Sequence, residues 1–276
     1  MESGLYVVAT PIGNFGDMSQ RAVDVLRQVD LIAAEDTRHS RRLLQHFGID
    51  TPLMAYHDHS DDRALRRIRG CFEAHESVAL VSDAGTPLVS DPGYRLVRCV
   101  QDEGHKVFPI PGACAAVAAL SAAGLPTDRF LFEGFLPAKR GARENRLQAL
   151  RTESATLIFY EAPHRIVDTL EALVEVFGPT REAALAREVT KLYETIRRSP
   201  LSTLAQFVRE DNNQQKGEIV LLVTGASARE SELDADVASL LIRLAQELPA
   251  RRAAAVVAEH TGLRKKQLYD YLLSLK

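Results

Sequence analysis

The chain has 276 residues and a net charge of −3, enough length for two domains of ordinary size and too little positive charge for a general polyanion binder. Hydrophobic residues make up 46% and charged residues 26%, the balance of a folded soluble protein, with no apolar run long enough to span a bilayer and no secretory signal in Met1–Thr10. Three scattered cysteines, Cys71, Cys99 and Cys114, show no metal-ligand spacing and fit a reducing, cytoplasmic setting.

In chain order, Leu5–Ala9 reads as a strand ended by the turn Thr10-Pro11-Ile12-Gly13-Asn14. A helix follows from Ser19, an N-cap by type, with Ala22, Val23, Leu26 and Val29 at helical spacing. Leu31–Ala34 is the next strand, and a helix carrying Leu43, Leu44 and Phe47 runs to Gly48, a C′ residue. Val78–Val81 and Lys106–Ile110 are further strands, each followed by a Gly/Pro-rich turn and a helix. Strand–turn–helix alternation predicts a parallel α/β sheet.

Gly134–Pro137 and the basic stretch Ala138–Glu144 read as a linker between domains, 1–135 and 136–230. The second domain is expected to hold strands Thr156–Tyr160, Ala183–Arg187 and Glu218–Thr224, with helices near His164–Val176 and Leu201–Glu210. Residues 231–276 read as a helical appendix broken at Pro249 and Gly262.

Three loops follow first-domain strands: 10–14, Ser82–Gly93 and Pro109–Ala116. Ligands bind open α/β sheets in the crevice at the carboxyl ends of strands. Small residues let a flat ligand approach the backbone, and prolines hold the loops rigid. None of the loops is G-x-G-x-x-G or a Walker A loop, which removes support for nicotinamide or triphosphate cofactors. The run His57-Asp58-His59-Ser60-Asp61-Asp62 holds ligand-type residues, but its Ser-Asp-Asp reads as a helix N-cap, and no metal is expected.

Taken together, TPIGN, AAEDTRHS, SDAGTPLVSDPG, PIPGACAA, FYEAPHR and REVTKLYE resemble the tetrapyrrole methylase superfamily and, within it, the bacterial small-subunit rRNA cytidine 2′-O-methyltransferases. The resemblance runs nearly end to end. It implies a two-domain α/β fold with a small helical appendix, a homodimer, and S-adenosyl-L-methionine in the cleft between the domains. Carried over position by position, the cofactor residues are Pro11, Asp83, Ala84, Gly85, Leu88, Cys114, Ala115, Tyr160 and Ala186. The expected partner is small-subunit rRNA or the assembled small ribosomal subunit.

The reaction is then an in-line displacement by a ribose hydroxyl, a poor nucleophile that needs a base or strong positioning. Asp36 and Arg38 are expected on the substrate side of the cleft. Asp36 and Glu188 are bases by type, and Lys191 and Arg187 are phosphate orienters; each is equally one half of a structural ion pair, Arg187-Glu188 or Lys191-Glu194. Basic clusters at Arg63–Arg69, at Lys139–Arg151 and in the tail are candidate phosphate contacts or plain solvated faces. Within them Arg140, Arg143, Arg251, Arg252, Arg264, Lys265 and Lys266, with Tyr269 as a stacking residue, are the RNA candidates. Two other readings stay open: methylation of a corrin or porphyrin precursor, and a non-catalytic rRNA-binding assembly factor.

Overall fold

The computed structural model describes residues 1–57, 62–226, 235–261 and 263–275. Its first sheet holds β1 (Gly4–Val8), β2 (Leu31–Ala34), β3 (Leu53–Ala55), β4 (Ser77–Val81) and β5 (Val107–Ile110). Every pairing is parallel and the spatial order is β3-β2-β4-β1-β5. Such strands are apolar on both faces because helices cover both. Leu5 joins a cluster with Leu31, Val78 and Leu80, while Tyr6 and Val8 point into the opposite one with Ile32 and Ala79.

The intervening helices are α1 (Gln20–Gln28), α2 (Thr37–His46), α3 (Asp62–Glu73), α4 (Tyr94–Asp102) and α5 (Ala115–Ala122). The Ser19 side chain accepts from the Ala22 N–H at 3.2 Å, and the Asp36 carboxylate from the Arg38 N–H at 2.8 Å. Both are N-caps that satisfy orphan donors. Gly48, at φ +60°, lies just past the end of α2. The short edge strand β3 escapes sequence reading because three half-exposed residues after Thr51-Pro52 carry no period.

The second sheet contains β6 (Phe130–Phe135), β7 (Thr156–Glu161), β8 (Glu182–Arg187), β9 (Thr195–Pro200) and β10 (Ile219–Val223), in the order β6-β7-β10-β8-β9. Only β6 and β7 are parallel; β10 runs antiparallel to β7 and β8, and β9 to β8. Helices α6 (Arg140–Leu150), α7 (Ile166–Phe177) and α8 (Leu201–Glu210) supply Leu147, Leu170, Leu173 and Leu204 to its core.

The structure corrects one expectation. The linker at Gly134–Glu144 is instead the end of β6, a β-bulge around Glu133–Gly134, and the start of α6. Because β6 belongs to the second sheet, the division between sheets falls before Phe130 rather than at 135/136. Gly134 and Pro137 mimic a linker, but Gly134 sits at φ +67° where the bulge needs it. The two α/β halves, each built on its own sheet, together make up the first unit, residues 1–151 and 155–224.

The second unit comprises residues 152–154 and 225–276, of which 227–234, 262 and 276 lie outside the described residues. It holds α9 (Ala235–Glu247), α10 (Ala250–Thr261) and α11 (Lys265–Ser274). Leu241, Ala253, Ala254, Val257, Leu268 and Leu272 form its core. The break expected at Gly262 and the Asp58–Asp61 part of the polar run lie outside the described residues.

Candidate active site

The order β4-β1-β5 sets the three Gly/Pro loops side by side, and backbone hydrogen bonds tie them together. Thr10 and Gly85 exchange N–H···O bonds of 2.8 and 3.1 Å, and the Thr86 hydroxyl donates to the Ala113 carbonyl at 3.0 Å. Close fit needs the small residues. A Cβ on Gly85 (φ +80°) would stand 3.2 Å from Ile12 Cγ2, and one on Gly112 would stand 2.9 Å from Ala9 Cβ. Leu88 and Ser90 hold left-handed backbone at φ +73° and +66°, as do Glu188 and Thr190 at +52° and +67°. Non-glycine residues rarely adopt that region without compensation, and such strain gathers at binding sites.

Two cavities open on these loops. The first, about 360 Å³, lies between the 83–91 loop, the start of α5, and the ends of β7 and β10. That volume falls within the ~300–1,000 Å³ of small-molecule sites. Tyr160 closes one side: its hydroxyl accepts from the Ala116 N–H at 3.2 Å, and Phe132 and Phe135 meet its ring edge-on. Burial, followed by the neighbouring Cys114, pushes its phenol pKa well above the ordinary value, so it acts as a neutral wall.

The charge of the two cavities differs. Asp83, Asp91, Glu161 and Glu218 line the first, with no Lys, Arg or His among the described lining residues. Glu161 is paired with Arg165 at 3.2 Å and Glu218 with Lys191 at 2.7 Å; Asp83 and Asp91 leave the wall acidic. Burial is the main cause that pushes Asp91 above the usual carboxylate range, with the Asp83 charge adding to it; Glu35, behind the loop, is raised by burial and then by the charges of Asp83 and Asp91. The second cavity, about 240 Å³, adjoins the first through Ile12, Asp83, Ala84 and Glu218, and is lined by three basic-type side chains, His39, Arg42 and Lys191. A cationic small molecule fits the first cavity; the second is of mixed charge, since Asp83 and Glu218 line it too and Lys191 is paired with Glu188 and Glu218.

The expected cofactor residues divide accordingly. Asp83, Ala84, Gly85, Cys114, Ala115 and Tyr160 line the first cavity. Pro11 lines the second instead. Leu88 packs into the core beside Gly93, and Ala186 is fully buried behind the wall; neither is among the lining residues. Ile12, Val89, Phe135, Val189, Gly217, Ile219 and Val220 also line the first cavity as apolar or backbone contributors, which carry no chemical signature in the sequence.

The four catalytic candidates are engaged with partners. Asp36 is bound by Arg38 at 3.0 Å, and the Arg38 hydrogen bonds hold its pKa down to about 2. Glu188 accepts from Lys191 Nζ at 2.8 Å and from the Glu218 N–H at 2.9 Å. Burial works against its ionisation, but those bonds outweigh it and its pKa is lowered. Lys191 also meets Glu218 at 2.7 Å, and its stem lies flat over Gly13. Its partners keep it charged against the opposing effect of burial. Asp36 and Glu188 are therefore poor bases. Arg187 is buried, held by Gln214, Thr195 and the carbonyls of Tyr193 and Lys216, so it offers nothing to a phosphate. The Lys191-Glu194 pair does not form; Glu194 instead accepts from the Thr190 N–H at 2.7 Å.

Of the RNA candidates, Arg143 is 5% exposed and so is removed from any surface role. Arg140 is exposed and paired with Glu144 at 2.6 Å. Arg251, Arg252, Arg264, Lys265 and Lys266 are all exposed, whereas Tyr269 is half-buried against the appendix core. No helix among the described residues is long and apolar enough to cross a membrane.

The sequence model of the Tetrapyrrole (Corrin/Porphyrin) Methylases matches residues 4–205. The chain belongs to that family. As a family member it is a methyltransferase with S-adenosylmethionine as methyl donor. Residues 231–276 match the RsmI C-terminal HTH domain. Among curated relatives, the ribosomal RNA small subunit methyltransferase I of Pseudomonas aeruginosa is 56% identical over 98% of this chain and 96% of its own length. That of Escherichia coli O157:H7 is 53% identical over 98% and 94%. The fold resembles a uroporphyrin-III-C-methyltransferase from Thermus thermophilus (TM-score 0.57, 21% identity, 80% of this chain and 93% of that one) and the methyltransferase CobJ (0.60, 22%, 81% and 95%).

The first cavity suits this donor. Its acidic, lysine- and arginine-free wall matches a sulfonium and an ammonium, and its glycines leave space that a Cβ would fill.

Proposed function

We propose that this methyltransferase acts on small-subunit rRNA, methylating the 2′-hydroxyl of a cytidine ribose. The observation that carries this reading is the pairing of an acidic donor cavity with an adjoining cavity that holds His39, Arg42 and Lys191. The relatives, which act on ribosomal RNA by name, and the match of the appendix to the RsmI C-terminal HTH domain support it.

When bound, S-adenosylmethionine supplies an electrophilic methyl carbon on a sulfonium. Asp83 and Asp91 stabilise that positive charge. Asp83 lines both cavities, and its Oδ1 is oriented by the Asp36 N–H at 3.0 Å. It therefore stands where acceptor and donor meet and is assigned as the group that takes the hydroxyl proton. Lys191, fixed by two carboxylates, positions the acceptor rather than exchanging protons. The appendix cations are assigned a docking role toward RNA phosphates. The enzyme is placed in the cytoplasm, where ribosomes assemble, as a homodimer; exposed Leu192 and Tyr193, side by side at 87% and 71%, support a self-association face.

The test is methyl transfer from labelled S-adenosylmethionine to small subunits from a strain lacking this gene, followed by nuclease mapping. Label on one cytidine ribose is the expected result. No label on subunits or free rRNA, with donor binding intact, would overturn the reading and direct the search to tetrapyrrole precursors.

A further inference from the structure

Helix α2 combines four features that the reaction scheme above does not use. First, His39, Arg42 and His46 recur at helical spacing and are all exposed, forming one stripe of about 10 Å. Arg38 and Arg41 stand exposed beside it, and α2 contains no acidic residue. Among the α2 arginines Arg38 is offset by an ion pair, to Asp36; Arg41 and Arg42 make none with a described residue.

Second, the stripe ends on an aromatic platform. Phe15, from the loop after β1, stacks on His46 at 4.3 Å and 28°, and Phe47 braces it edge-on at 6.1 Å. Phe15 is 43% exposed, so one ring face is supported while the ring keeps surface open. Third, the stripe is continuous with the second cavity, since Phe15, His39 and Arg42 all line it. Fourth, Ser40 lines the same cavity at 3% exposure, and its hydroxyl has no hydrogen-bond partner. Buried hydroxyls are ordinarily satisfied, and one left open in a cavity wall points to a ligand that satisfies it.

We infer that α2 and Phe15 form the track for the RNA strand flanking the target nucleotide: Arg41 and Arg42 bind successive phosphates, Phe15 stacks a neighbouring base, and Ser40 hydrogen-bonds the acceptor nucleotide in the cavity. Free arginines suit phosphates, and aromatic rings suit unstacked bases of single-stranded RNA. A folded protein surface as partner would not call for an exposed ring beside the unpaired arginines of α2 and an open cavity. The inference rests on the rRNA reading and adds the path by which the strand reaches Asp83.

The experiment compares the wild type with R41E/R42E, F15A, F15Y and S40A. It measures kcat and KM for small subunits lacking the modification, filter binding of oligocytidylate at several salt concentrations, and donor affinity by calorimetry. Reversing the exposed arginines should raise KM about tenfold or more and flatten the log–log salt slope by roughly 1.4, about 0.7 for each phosphate contact with a single strand. F15A should weaken oligocytidylate binding roughly five- to hundredfold, and F15Y should restore it. S40A should raise KM with donor affinity kept. Donor affinity should stay at the wild-type level in all four. A wild type that labels rRNA, with R41E/R42E and F15A unchanged in KM and salt slope, would overturn the track while leaving the rRNA reading in place. A wild type that binds donor but neither labels rRNA nor binds oligocytidylate would overturn both.

Discussion

Gly13→Ala tests the junction between the two cavities. A Cβ at Gly13 would stand 2.4 Å from Lys191 Cγ, 2.5 Å from Cε and 3.0 Å from Cδ. Three successive stem atoms cannot all move aside while Nζ keeps its bonds of 2.8 Å to Glu188 and 2.7 Å to Glu218. The Glu188 pair is mostly buried, with side chains 25% and 19% exposed; as a charge-assisted bond it contributes about 1.5–3 kcal/mol. The Glu218 pair, with Glu218 largely exposed, adds roughly 0–1 kcal/mol. A positive φ of +154° at Gly13 adds a further penalty for any side chain. The loss is about 2–4 kcal/mol, a fall in Tm of roughly 5–15 °C for a chain of this size. Thermal unfolding of Gly13→Ala, Lys191→Ala and the double variant forms a cycle. If the clash is with the lysine stem, Gly13→Ala should cost only its backbone penalty in the Lys191→Ala background, leaving an interaction of at least about 1 kcal/mol. Strictly additive losses would refute the reasoning and place the Gly13 effect in its backbone alone.

Asp91→Asn should weaken donor binding by calorimetry and raise stability above the carboxylate range. The raised pKa of Asp91 means the folded state holds its proton more tightly than the unfolded chain does. Wild-type stability therefore falls as pH rises from the ordinary carboxylate pKa through the folded value, and the gap to Asp91→Asn should open over that window; a pH-independent gap would contradict the burial of this group. Gly85→Leu should abolish donor binding with the far-ultraviolet circular dichroism spectrum unchanged, because φ +80° and Ile12 at 3.2 Å leave no room for a side chain; wild-type affinity would remove the loop from the pocket. Deleting residues 231–276 should weaken RNA binding and spare donor binding; equal RNA affinity would make the appendix structural.

The elements that sequence reading located are those whose residues repeat a period or cap a helix. Leu31–Ala34 and Leu201–Glu210 lie in the structure at those bounds. Strand β9, Thr195–Pro200, was invisible because its Ile-Arg-Arg-Ser core has no apolar alternation; it is held by backbone pairing to β8 along its whole length. The donor loops were legible because small residues and prolines at strand ends have few other uses. The charged residues were not. Asp36, Glu188 and Arg187 look identical in sequence whether they face a substrate or one another, and only partner geometry separates a free carboxylate from an ion pair. Helix α2 shows the converse: Arg38 stands out in the sequence through Asp36, but Arg41 and Arg42 carry no signal beside the denser clusters, although Arg143 from one of those clusters is buried.

The charge of the donor cavity carries a last consequence. Methyl transfer turns a sulfonium into a neutral thioether, so S-adenosylmethionine and its demethylated product differ by one positive charge at the same site. Asp83 and Asp91 line that site without a compensating lysine or arginine. If a bound sulfonium lay ~6 Å from a carboxylate, the two would interact by about 3 kcal/mol at an effective dielectric near 20, reduced by exchange with solvent to roughly 1–2 kcal/mol. The cavity should thus prefer donor to product by about five- to thirtyfold, which drives product release. Because Asp91 titrates above the usual carboxylate range, the preference should shrink as pH falls through its folded pKa, and D83N/D91N should flatten it. Calorimetry with both ligands across that pH range measures the ratio directly. Equal affinities in the wild type, or a preference that survives loss of both carboxylates, would show that shape rather than charge selects the donor.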